Sequence, residues 1–128
     1  MSTIESVTSI TLLANADLSA SQYHFVKVGA GTYPLSVAAA GESAIGVLMN
    51  KPGEATGAAG ESAQVAILGC PKVKLGGTIA VGDNLAADAD GAAIVATTPA
   101  FVVAKALQAG TDGQVVRVLL MSQFTIPA

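Results

Sequence analysis

The chain has 128 residues, of which 52 % are hydrophobic, 12 % charged and 4 % aromatic, with a formal net charge of −3. Its charged fraction is half of the roughly 25 % usual in soluble domains, yet 35 Val, Ile, Leu and Phe residues keep it above the range of disordered chains and its length suits one domain. No apolar run reaches the length of a helical membrane span, and scattered Lys and Arg with few aromatics argue against nucleic-acid binding. The start of the chain carries no basic and apolar leader pattern, and the single cysteine, Cys70, suits a reducing compartment such as a cytoplasm.

Residues 1–21 are rich in Ser and Thr, with Ile4, Val7, Ile10, Leu12 and Leu13 spaced through them. They read as an extended N-terminal arm, half-buried only when it lies against something. The alternative is that they finish the sheet of the domain itself, and composition does not separate the two. Residues 22–121 read as a β-domain. Short β-branched runs recur at His24–Val28, Tyr33–Val37, Ala44–Met49, Gln64–Leu68, Lys72–Leu75, Ala92–Ala96, Phe101–Leu107 and Gln114–Met121. Spacings of about 8 to 12 residues with turn residues between are the pattern of an all-β sandwich or barrel. Asp90-Gly91 and Asp112-Gly113 are hairpin-type pairs, because Gly accepts the positive φ of a tight turn. Lys51–Glu61 reads as a small-residue surface loop, and residues 122–128, with Phe124 and Ile126, form a C-terminal tail. No apolar pattern of helical period persists for three turns. The expected fold is therefore all-β: a small compact barrel or sandwich of short strands, with little helix and an extended N-terminal arm.

Candidate chemistry is sparse. His24 stands between Tyr23 and Phe25 without a nucleophile motif, and a packed cluster accounts for it better than a triad. Asp88-Ala89-Asp90-Gly91 opens like a calcium loop, but loop positions 5 and 12, which should supply an oxygen ligand and a bidentate Glu, hold Ala92 and Pro99, so a β-turn suffices. One Cys and one distant His do not make a zinc site, no phosphate loop occurs, and Cys70 reads as a small buried hydrophobe. No enzyme activity and no cofactor is expected. Lys72 and Lys74 flank Val73, and strand alternation places both ammonium groups on one face. That face is either simply solvated or pairs with an acidic partner surface. Val73 to Leu85 resembles a turn of small β-barrels, biotinyl and lipoyl carrier domains included, but the carrier lysine there sits in an exposed tight turn. The nearest counterpart, Lys105, reads as mid-strand.

In order, Ala44-Ile45-Gly46-Val47-Leu48-Met49-Asn50-Lys51-Pro52, Gly69 through Asp83, Asp88-Ala89-Asp90-Gly91, and Gly113-Gln114-Val115-Val116-Arg117-Val118-Leu119-Leu120 resemble the family of small tailed-phage proteins that decorate, or cement, the capsid. The resemblance covers roughly residues 24–121 and extends more distantly to lambda-type head decoration proteins. Lys105 departs from it, standing where the family's strand has a Gly. The resemblance implies a non-enzymatic capsid decoration protein on the outer surface of a phage head, assembled in the host cytoplasm. Its implied partners are the major capsid protein, whose subunits it cross-links, and itself as a homotrimer; neither nucleic acid nor membrane is among them. The alternatives are another virion component, such as a head fibre or tail subunit, and a biotinyl- or lipoyl-like carrier domain. The residues expected to meet the capsid are Ile4, Val7, Ile10 and Leu12 of the arm, with Lys72 and Lys74.

Overall fold

Ten strands carry the chain: β1 (Val7–Leu13), β2 (Phe25–Val28), β3 (Leu35–Val37), β4 (Gly46–Leu48), β5 (Ser62–Gly69), β6 (Lys72–Lys74), β7 (Asn84–Ala87), β8 (Ala93–Val95), β9 (Phe101–Ala106) and β10 (Val115–Thr125). They come from a computed structural model that describes residues 7–97 and 100–125. The one helical piece among these residues is a single 3-10 turn at Ser19–Ser21. The all-β expectation therefore holds, and each of the eight predicted runs contains a strand.

Two five-stranded antiparallel sheets form, ordered β1-β5-β4-β2-β3 and β6-β10-β9-β7-β8. Adding five to each label of the first order gives the second. The registers agree as well. Val26 lies opposite Val37 and Gly46, and Leu85 lies opposite Val95 and Ala104. In each sheet one parallel bridge brings the two edges together, Ala14 to Leu35 in the first and Leu75 to Ala93 in the second, so each sheet curls into a small ring.

Backbone hydrogen bonds outside the strands repeat too. Leu18 N–H donates to the Pro52 carbonyl at 2.8 Å, as Ile79 N–H does to that of Gly110 at 2.9 Å. Asn15 N–H donates to Leu35, and Gly76 N–H to Ala93, both at 2.8 Å. Gly60 and Gly113, at φ +98° and +87°, make the same turn before β5 and β10, and their N–H groups reach the Ala14 and Leu75 carbonyls at 2.8 and 2.9 Å. A side chain is disfavoured at that φ. The chain is a tandem pair of one five-stranded unit.

The two units are joined by a shared core, because β2 and β4 are covered on both faces. Strand alternation turns Val26 and Leu48 into the first ring, where they pack with Ala14, Leu18, Leu35, Ala63 and Val65. Phe25 and Val47, opposite each other in register, point the other way. They join Val73, Leu75, Leu85, Ala93, Val116 and Val118 in the core of the second unit. Every residue of β4 is buried, as expected of a strand between two apolar layers. Gly46 is required there, since a Cβ would run into the Ala66 carbonyl. Phe25 N–H also donates to Gly91 O at 2.7 Å, tying β2 to the β7–β8 turn.

Three details differ from the sequence reading. β7, Asn84-Leu85-Ala86-Ala87, lies outside the predicted runs, having no β-branched residue to mark it. Pro52, at the start of the expected surface loop, is fully buried, because its carbonyl anchors Leu18. Cys70, expected as a buried hydrophobe, is half-exposed at the junction between β5 and β6. Asp88 makes the β-turn expected in place of a calcium loop: its carboxylate accepts from the N–H groups of Asp90 and Ala92 at 2.8 and 3.0 Å.

Candidate docking surface

The residues expected to meet a partner fall in three places. Ile4 lies outside the described residues. β1 pairs antiparallel with β5 over its whole length, Ile10 opposite Val65 and Leu12 opposite Ala63. Leu12 packs on the first core, and Ile10, on the same side by alternation, remains 38 % exposed. Val7 and Lys72, 65 positions apart, line one hollow of about 260 Å³ with Tyr23, Met49, Cys70 and Pro71. Lys74 is one alternation further along β6.

Tyr23 holds the two units together at this hollow. It is the one non-glycine among the described residues with positive φ, at 67°, a conformation that costs of order 1 kcal/mol or more. It is stabilised by two backbone hydrogen bonds. Its N–H donates to Leu48 O at 2.7 Å, and its carbonyl accepts from Lys74 N–H at 2.8 Å. Beside it His24 is buried, with Nδ1 3.0 Å from the Gln22 carbonyl; its neighbours are structural, as a packed cluster would have it.

Beyond the hollow lies the outer face of the second sheet. Lys72 stands opposite Arg117 and Lys74 opposite Val115. Lys105 stands opposite Leu119 on one side and Asn84 on the other. Alternation puts 115, 117 and 119 on one side of β10. Four of the six Lys and Arg residues therefore share this face, leaving two cations against nine carboxylates, a net −7, for the rest of the chain. Lys27 and Lys51 are paired, with Glu42 at 2.7 Å and Glu54 at 3.8 Å. Lys72, Lys74 and Lys105 have no ion pair or side-chain hydrogen bond among the described residues. Val115 and Leu119 are about 40 % exposed between them. Asn84 Oδ1 is buried without a hydrogen-bond partner among the described residues. Further along the face, Ala86 and Ile94 help line a second hollow of about 270 Å³ with Gly41 and Ala100.

Among the described residues the carboxylates lie on connections, not on strands. Hydrogen bonds from the Ser19 hydroxyl and N–H hold Asp17 below the usual aspartate range. Contact with the Lys27 ammonium and the Ala39 N–H lowers Glu42, and the Thr56 hydroxyl does the same for Glu61. These groups stay ionised at neutral pH, so the charge asymmetry between the basic face and the rest persists. Among the described residues no three His, Cys, Asp or Glu side chains gather closely enough to hold a metal ion.

Sequence reasoning identified Lys72 and Lys74 but not Arg117, Lys105 or Asn84 as their neighbours. Alternation through Gln114–Met121 already placed Arg117 between two exposed apolar residues. Only the pairing of β10 with β6 and β9 shows that the cations converge.

No family model and no curated protein matches the chain. Among solved structures it is similar to the head fibre gp8.5 N base of bacteriophage phi29. The two are 25 % identical with a TM-score of 0.68, over 91 % of this chain and 95 % of that one. The likeness thus takes in both units and the face between β6 and β9, not one sheet alone.

Proposed function

We propose that this protein is a non-enzymatic structural component of a phage virion, built like the base of a head fibre and attached to the outer surface of the head through the major capsid protein. The observation that carries this reading is the likeness to a head fibre base over nine tenths of the chain. It favours the head-fibre alternative over a decoration protein whose work is to cement capsid subunits. The fold suits an attachment role. Two curled sheets sharing one core make a rigid platform, and they leave a side-chain face for contact and the shared core for stability. Self-association as a homotrimer is part of the proposal, since several modest contacts held together raise the effective affinity.

Incubating the purified protein with heads stripped of fibres and decoration tests the reading. The expected result is saturable binding at a fixed copy number with no gain in resistance of the heads to disruption. Bound heads that resist disruption markedly better would return the assignment to a cement protein. No binding at all would refute attachment to the head.

A further inference from the structure

We propose that the outer face of the second sheet, carrying Lys72, Lys74, Lys105 and Arg117 around Val115 and Leu119, docks on a carboxylate-bearing protein surface, which on the reading above is that of the head shell. Two independent observations meet here. The first is charge. A chain of net −3 gathers four of its six cations on one face whose strands contain no Asp or Glu, and three of these cations have no partner among the described residues.

The second is the internal repeat. Phe25, Val47 and Ala66 lie on the outer face of the first ring and are fully buried, Phe25 and Val47 in the core formed with the second unit. The shared register maps them to Asn84, Lys105 and Leu119 of the second ring. These residues therefore occupy the place where the fold has already been covered once by a neighbouring protein surface. Among the described residues no further ring covers this place. The central Phe and Val have become Asn and Lys, so the surface that fits is not another apolar ring but one with acceptors. Asn84 Oδ1, buried and unpartnered, sits in the same row.

A nucleic acid fits less well. The side chains exposed between the cations, Val115 and Leu119, are aliphatic and give bases no stacking platform, and the net −7 of the rest of the chain repels a polyanion longer than the face.

The test uses the full chain and the variant Lys72→Glu/Lys105→Glu, with Gln64→Glu as a control on the corresponding face of the first ring. A decaglutamate peptide titrated into labelled protein is expected to shift amide resonances of residues 72–74, 105 and 115–119, and the double variant should abolish the shifts. No shifts on this face would overturn the inference whatever the heads do. A short DNA duplex binding as tightly as the peptide would overturn it too. In co-sedimentation with stripped heads at low salt, reversing two charges at a steered interface is expected to weaken binding about ten-fold or more and to flatten its salt dependence. The Gln64→Glu control should bind like the wild type. Equal binding of the double variant would overturn the inference. Wild-type protein that binds decaglutamate on this face but no heads would refute the head attachment and support the chemistry of the face. If the wild type self-associates and the double variant does not, the occupant is a second copy and the acidic-shell inference fails.

Discussion

Replacing Phe25 by Ala tests whether the two units are one cooperative structure. Phe25 is fully buried, stands on a strand of the first sheet, and packs in the core of the second unit. Its backbone bonds, from Phe25 N–H to Gly91 O at 2.7 Å and from Ala38 N–H to Phe25 O at 3.0 Å, survive the change, so the loss is that of the ring. Truncating a buried Phe to Ala costs about 3–5 kcal/mol, against a total of roughly 5–15 kcal/mol for a domain. With a urea slope of about 2 kcal/mol per molar, the midpoint should fall by about 2 M. Circular dichroism reports both sheets, whereas tyrosine fluorescence reports Tyr23 and Tyr33, which both flank strands of the first. The two signals should shift together in one transition. Val28→Ala, at a half-exposed position on the same strand, should stay within about 0.5 kcal/mol. If Phe25→Ala splits the unfolding into two steps, or leaves half of the dichroism amplitude at the wild-type midpoint, the shared core does not couple the units.

Three further outcomes are expected. Gly91→Ala forces a Cβ into a backbone at φ +83°, with Val37 Cγ1 at 2.5 Å and the Phe25 carbonyl at 2.9 Å; thermal unfolding should show a loss of about 2–3 kcal/mol, and an unchanged midpoint would refute the close approach of the two units there. Glu42 has a lowered pKa in the fold, so its stabilising effect is complete above the pKa it has when unfolded and is lost as pH falls through the folded value. Stability should therefore decline from about pH 5 downward, and Glu42→Gln should be less stable at pH 7 with a shallower acid limb; a variant with the wild-type pH profile would show that the Lys27 contact does not matter. Deleting residues 1–13 removes β1 and uncovers Ala63 and Val65, so urea unfolding should show a loss of about 3 kcal/mol or more. A truncated chain of full stability would mean that this segment is not part of the folded unit.

What was readable from the chain followed side-chain chemistry. β-branched runs and Asp-Gly pairs placed eight strands and two turns, because those residues fit a pleat and a positive φ directly. β7 escaped because Asn-Leu-Ala-Ala has no such preference; its neighbours on both sides decide its conformation. The role of residues 7–13 stayed open because alternating Ser, Thr and aliphatic residues suit an arm and an edge strand equally, and only the pairing with β5 distinguishes them. The basic face was half-visible. Lys72 and Lys74 declare themselves by alternation within β6, but Arg117 and Lys105 join them through pairing between strands distant in sequence. The repeat was hidden altogether, since equivalent positions share a place in the register more often than a residue type: Val65 matches Val118, but Phe25 matches Asn84 and Val47 matches Lys105.

The same divergence has a consequence for how the chain reaches its native state. Two units with one strand order and one register offer each strand a second berth, and wrong assembly between neighbours is the characteristic failure of repeated folds. Inside the rings the sizes are reversed. Leu35 and Leu48 of the first correspond to Ala93 and Ala106 of the second, while Ala14 and Ala63 correspond to Leu75 and Val116. A strand inserted into the wrong ring would leave a void at one position and collide at another, each a penalty of about 1–3 kcal/mol or more. Alternating large and small side chains thus act as an address, sending each strand to its own half of a duplicated scaffold.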